Sequence, residues 1–205
     1  MSTVQTSPAE TAPHTGLAPH DRRRGLVFVG MAVAGIGFAL SMQMAINSNF
    51  VAQEMEISGS QQGILEAIRE SCGIIALGVL AVLAGLAEPL VASAMLALTG
   101  IGLVAYGYAP GYLFLISSSV VWSQGLHVWM PLPQSMTLSL AEPGRAGYRL
   151  GQIRRAGSVG SIVALLLALV LTLLKVPIRP LFLLAGLVAV VAALACLGVP
   201  RNLKT

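Results

Sequence analysis

At 205 residues, with 56% hydrophobic and only 10% charged side chains, the chain carries less than half the charge of an ordinary soluble domain. Packing so much apolar surface around one water-facing core would leave too few polar residues to cover the outside, which excludes a soluble fold and makes lipid the solvent. The formal net charge of +4 does not mark a nucleic-acid binder, because the basic residues form short clusters between apolar runs rather than one continuous face.

Residues 1–21 are rich in Ser, Thr, Pro and Ala without an apolar period, and read as a disordered cytoplasmic tail. The cluster Arg22-Arg23-Arg24 could open a signal peptide or twin-arginine signal, but the apolar run behind it is too long and further runs follow. A spanning helix needs roughly 20 mostly apolar residues to cross about 30 Å of hydrocarbon. Six segments qualify: Gly25 to Asn47, Gln61 to Ala87, Pro89 to Tyr108, Tyr112 to Leu138, Leu150 to Leu174 and Pro180 to Val199. In the second, the uninterrupted apolar part begins only at Ser71. Pro131 and Pro133 predict a bend near the end of the fourth, since each removes a backbone donor and crowds the preceding turn. The runs lack two-residue alternation and are about twice the length of barrel strands, so a closed β-barrel is set aside.

The expected fold is therefore an all-α, polytopic membrane protein, with a six-helix transmembrane domain over residues 22–201 and a short cytoplasmic end at 202–205. Cytoplasmic loops retain Lys and Arg. Arg22, Arg23, Arg24, Arg145, Arg149, Arg154, Arg155, Arg201 and Lys204 fall on one side of this arrangement, against Lys175 and Arg179 on the other, with Arg69 near the outer end of the second helix. Both termini are thus expected in the cytoplasm, with the chain in the plasma membrane, as in a bacterial inner membrane. The cluster from Arg145 to Arg155 reads as a topology signal and a contact for anionic lipid. Gly100 and Gly102, Gly147 and Gly151, and Gly157 and Gly160 mark places where helix backbones could approach closely.

Polar residues inside the spans are the candidate chemistry. In the fourth helix Ser119, Ser123 and His127 recur every fourth residue, with Gln124 beside them and Gln134 further along. Such a stripe needs water, a solute or another helix, because unpaired polar groups in hydrocarbon are costly; interhelical bonding alone also explains it. As a histidine inside a span, His127 is a candidate proton-coupling residue. In the second helix Gln62, Glu66, Arg69 and Glu70 share one side. At the bilayer centre each charge costs roughly 2.5–3.5 kcal/mol, so Glu66 and Arg69 should pair and Glu70 becomes a proton or cation site; an outer-interface position for all three is the competing reading. Gln43 and Asn47 in the first helix are candidate solute contacts or helix-to-helix bonds, and Trp122 and Trp129 sit too deep for interfacial anchors. Cys72 and Cys196 lie in apolar runs without metal-type spacing and read as packing residues. No phosphate-binding loop, metal cluster or nucleophile triad is visible, so neither an enzyme nor a cofactor is expected.

From Arg22 to Arg201 the chain resembles the N-terminal six-helix half of the major facilitator superfamily. The likeness rests on Leu140-Ala141-Glu142-Pro143-Gly144-Arg145-Ala146-Gly147-Tyr148-Arg149-Leu150-Gly151, similar to the family's proline, arginine, glycine pattern leading into helix five, and on Ala84-Gly85-Leu86-Ala87-Glu88-Pro89 at the family's gate loop. Here Glu88 stands at the acidic position, Ala84 replaces a glycine and Pro89 an arginine. The marks of proton-driven drug exporters are absent. The resemblance implies a half-sized secondary transporter with helices one, two, four and five lining a cavity, gate candidates at Glu88, Arg145 and Arg149, and a small-molecule substrate. It further implies that the chain pairs in the bilayer with itself or with a separately encoded second half. The alternative is a non-transporting membrane scaffold or a truncated transporter remnant.

Overall fold

A computed structural model describes residues 17–203; most of the expected tail, and Lys204 among the expected cytoplasmic charges, lie outside the described residues. Among the described residues the only regular secondary structure is helical: α1 (Pro19–Asn49), a π-turn (Phe50–Glu54), α2 (Gly59–Leu83), α3 (Glu88–Gly107), α4 (Tyr112–Trp129), α5 (Leu132–Leu140), α6 (Ala146–Leu173) and α7 (Ile178–Cys196).

Helix ends follow local chemistry. Pro19 opens α1 behind an extended Ala18, its fixed φ already suited to a first turn, so the helix starts inside the stretch expected as tail. Ser58 and Gln61 form a reciprocal capping box at α2, with Gln61 N–H donating to Ser58 Oγ at 3.3 Å and Ser58 N–H donating to Gln61 Oε1 at 2.8 Å. α2 stops at Leu83, short of the expected Ala87, and the chain reverses through Gly85 at φ +89°, a conformation glycine adopts without steric cost. The expected fourth helix is broken rather than bent. Pro131 and Pro133 cannot donate to the preceding turn, so α4 ends at Trp129 and α5 restarts at Leu132.

Four of the helices are long and apolar enough to cross a membrane: α1 together with its π-turn, α3, α6 and α7. Four such helices are compatible with a multi-pass membrane protein. α2 and α4 fall short because α2 carries Glu66, Arg69 and Glu70, while α4 has 18 residues that include Ser117, Ser118, Ser119, Ser123, Gln124 and His127. Large apolar side chains point outward in the manner of a lipid-facing surface, among them Ile74, Val82, Leu113 and Leu173.

The pairings have an internal symmetry. α1 packs on α6 and α7, α4 packs on α2 and α3, and α3 packs on α7. Exchanging α1 with α4, α2 with α6 and α3 with α7 reproduces the same set. Glycines sit at the crossings: Gly100 and Gly186 face each other between α3 and α7, Gly102 meets Trp122, and Gly160 abuts the backbone of Ala34. Gly147 and Gly151 have no packed neighbour at the Cβ position, so of the three expected glycine pairs this one makes no close helix contact. One end of the bundle is closed by Phe50, Tyr106 and Phe182, with ring centroids 4.8–5.7 Å apart.

Candidate functional site

The charged part of α2 and the polar face of α4 converge. With the last third of α1 they enclose a cavity of about 380 Å³ lined by Gln43, Asn47, Gln62, Glu66, Arg69, Glu70, Ser123 and His127, along with Leu40, Met44, Ser48, Trp122 and Leu126. These residues come together because α2 packs directly on α4, where Gly73 leaves room for the His127 ring.

Arg69 is the hub. Its Nη1 donates to Glu66 Oε1 at 3.1 Å, its Nε and Nη2 donate to Glu70 Oε1 at 3.2 and 2.9 Å, and its guanidinium lies 5.5 Å from the Trp122 ring centre. Two carboxylates thus share one guanidinium, which leaves the cluster with an excess of one negative charge. Glu66 and Arg69 are partly buried, whereas Glu70 is 63% exposed and is the carboxylate best placed to meet a proton or cation entering the cavity. The depth of the cluster follows from its neighbour: Ser123 Oγ donates to the Arg69 carbonyl at 3.1 Å, and Ser123 stands eleven residues into α4, about 16 Å from that helix's start at 1.5 Å per residue. That level is about three turns along α4 from its first residue.

His127 is held from one side. Its Nδ1 lies 2.9 Å from the Ser123 carbonyl and 3.1 Å from Ser123 Oγ. Because Ser123 Oγ donates its proton to the Arg69 carbonyl, the contacts call for a proton on Nδ1 of His127, donated to Ser123. Gln43 is 3% exposed, and Asn47 Oδ1 accepts from the Tyr106 hydroxyl at 2.8 Å.

Other expected residues lie elsewhere. Ser119 is sealed in the interior one turn before Ser123, and Gln124 is rotated away from the cavity; Ser119 Oγ and Gln124 Nε2 are both buried without a partner among the described residues. Gln134 lines a second cavity of about 510 Å³ between α1, α4, α5 and α6, together with Arg154 and Trp129. The gate candidates are separated. Glu88 is buried, accepts from Ser135 Oγ at 2.6 Å, and donates its backbone N–H to the Leu203 carbonyl at 2.9 Å. Arg149 turns to Glu142, donating from Nε to Oε2 at 2.8 Å, and to Gln152 at 2.8 Å, while Arg145 is exposed. The side-chain bond from Arg149 holds the Glu142 carboxyl well below its usual range, at about 2.

No family model matches the chain, and no curated protein does. The cavity therefore has to be judged on its own chemistry. Among the described residues no group of three His, Cys, Asp or Glu could hold a metal ion. What the cavity offers is an acidic cluster with one excess negative charge, a basic imidazole nitrogen, three side-chain amides and an aromatic face. Sequence reasoning left the role of Trp122 open and passed over Ser48 and Met44. The signal for Trp122 was its position four residues before Leu126 and one before Ser123, on the side of α4 that carries the stripe.

Proposed function

We propose that the chain is one bundle of a secondary transporter, which moves a small solute through the cavity of α1, α2 and α4 after a second bundle covers that cavity. The observation that carries this reading is the Glu66–Arg69–Glu70 cluster, deep in a cavity open on the bundle's side. Facing hydrocarbon, each charge would cost roughly 2.5–3.5 kcal/mol; facing a water-filled path shared with a second bundle, it costs far less. In this reading α2 and α4 are the fifth and sixth spans, too polar to look like spans because they line the path. The symmetric pairing of helices supports it, since inverted three-helix repeats within a six-helix half are how major facilitator transporters are built, and the chain resembles such a half. The second bundle is another copy of the chain or a separately encoded half, both ends of the chain lie in the cytoplasm, and rocking of the two bundles gives alternating access.

The test has two parts. Cross-linking in native membranes should give a dimer or a discrete partner. Purified protein in vesicles should drive flux of at least one member of a panel of small solutes, and Glu70→Gln, Glu66→Gln and His127→Asn should each lower that flux tenfold or more with normal insertion. A strictly monomeric chain with no flux under any imposed gradient would refute the proposal.

A second reading, a non-transporting membrane scaffold or transporter remnant, is favoured by one observation. The gate-loop acid Glu88 is bonded to Ser135 rather than to Arg145 or Arg149, so the charged latch of a cytoplasmic gate is not assembled. Neutral substitutions at Glu66, Glu70 and His127 that leave every cellular readout unchanged would support that reading.

A further inference from the structure

A third cavity, about 540 Å³, runs along the outside of the bundle between α1 and α6. Gly30 lies against Ile153 and Ala34 against Gly160, so these two helices run in the same direction and begin at the same end. Arg23 and Arg149 line the cavity at that end, Arg155 follows beside Ala156 at the level of Gly30, and Gln152 and an apolar wall of Leu26, Val27, Gly30, Met31, Ala34, Ile153, Ala156 and Val159 complete it. Val27, Met31 and Val159 are each more than half exposed, and none of them lines the polar cavity of α1, α2 and α4. Arg149 is committed to Glu142 and Gln152. Arg23 and Arg155 form no ion pair among the described residues. From Arg23 to Ala34 the groove descends eleven residues, about 16 Å, or half of a ~30 Å hydrocarbon core, which is the depth of one leaflet.

We propose that this groove binds one anionic phospholipid, with the phosphate between Arg23 and Arg155 and an acyl chain along Gly30, Ala34 and Ala156. Charge complementarity selects the headgroup, and the small residues at the helix crossing make room for the chain. Arg154 faces the second cavity and Arg24 lies 5.6 Å from the Phe28 ring centre, so neither takes part. That division separates a built site from general attraction of a basic surface to an acidic leaflet.

The experiment is native mass spectrometry of the detergent-purified full chain titrated with phosphatidylglycerol or phosphatidylcholine. The wild type should retain one phosphatidylglycerol in preference to phosphatidylcholine. Arg23→Gln with Arg155→Gln should weaken that retention roughly tenfold or more, while Arg24→Gln with Arg154→Gln, which removes the same charge from the same end, should leave it unchanged. Gly30→Leu keeps every arginine and fills the groove, and should also abolish retention, which keeps the proposal testable if the arginine pair fails to fold. Equal losses in the two arginine pairs, retention that survives Gly30→Leu, or no preference for phosphatidylglycerol in the wild type would each overturn the site.

Discussion

At the scale of single residues, the central fact is that one guanidinium serves two carboxylates in a partly enclosed space. Removing Arg69 leaves two like charges together, whereas removing Arg69 and Glu66 together leaves a lone carboxylate with a route to water. Arg69→Met should therefore lower the detergent-solubilised stability by about 1–2 kcal/mol, less than the 3–5 of a fully buried broken pair, and adding Glu66→Leu should recover part of the loss in the same thermal scan. The Glu142–Arg149 pair gives a pH signature of known sign. The Glu142 carboxyl falls from 4.5 to about 2 in the folded state. Its stabilisation is thus complete above about 4.5 and is lost as the pH falls through about 2. Arg149→Gln should flatten that acid-side loss of thermal stability between those limits, and a variant as acid-sensitive as the wild type would show that other groups dominate. Much of this was legible beforehand: spacing alone put Glu66, Arg69 and Glu70 on one face, and Ser123 and His127 on another. What spacing cannot give is rotation against a neighbour, and so Gln124, next to Ser123 in the chain, was expected in a cavity that it turns away from.

At the scale of elements, close packing at glycines sets the crossings. A Cβ on Gly100 would lie 2.6 Å from the Gly186 carbonyl oxygen, whereas Gly78 has nothing within 4 Å. Gly100→Val should accordingly cost about 1–3 kcal/mol through overpacking, and Gly78→Val should leave unfolding in detergent unchanged. The apolar runs made the helices readable, since length and hydropathy suffice for α1, α3, α6 and α7. Their ends were less so: α1 starts at Pro19 because proline suits a first turn even without an apolar residue there, and α4 breaks at Pro131 because two prolines close together remove two backbone donors. Glycine pairs in the sequence were an incomplete guide. Gly157 and Gly160 meet α1 closely, but Gly147 and Gly151, at the same kind of spacing, line open space; which face of a helix meets a neighbour depends on the whole bundle.

At the scale of the molecule, the two long helices that fall short of simple spans, α2 and α4, are neighbours, and with the end of α1 they line one cavity. The polarity that keeps α2 and α4 from qualifying as simple spans is the polarity that makes the cavity. The proposed path and a lipid-facing wall then sit on one helix: Glu70 lines the cavity, while Ile75, five residues on and about 140° round α2, is 55% exposed on another face. The most direct test is the rate at which single cysteines at Glu70 and Ile75 react with a membrane-impermeant maleimide in intact membranes, in a chain whose buried Cys72 and Cys196 are replaced. The account predicts rapid labelling at position 70, and labelling at least tenfold slower at position 75. Equal and negligible labelling at both positions would mean that the charged cluster is sealed from water, which contradicts a solute path.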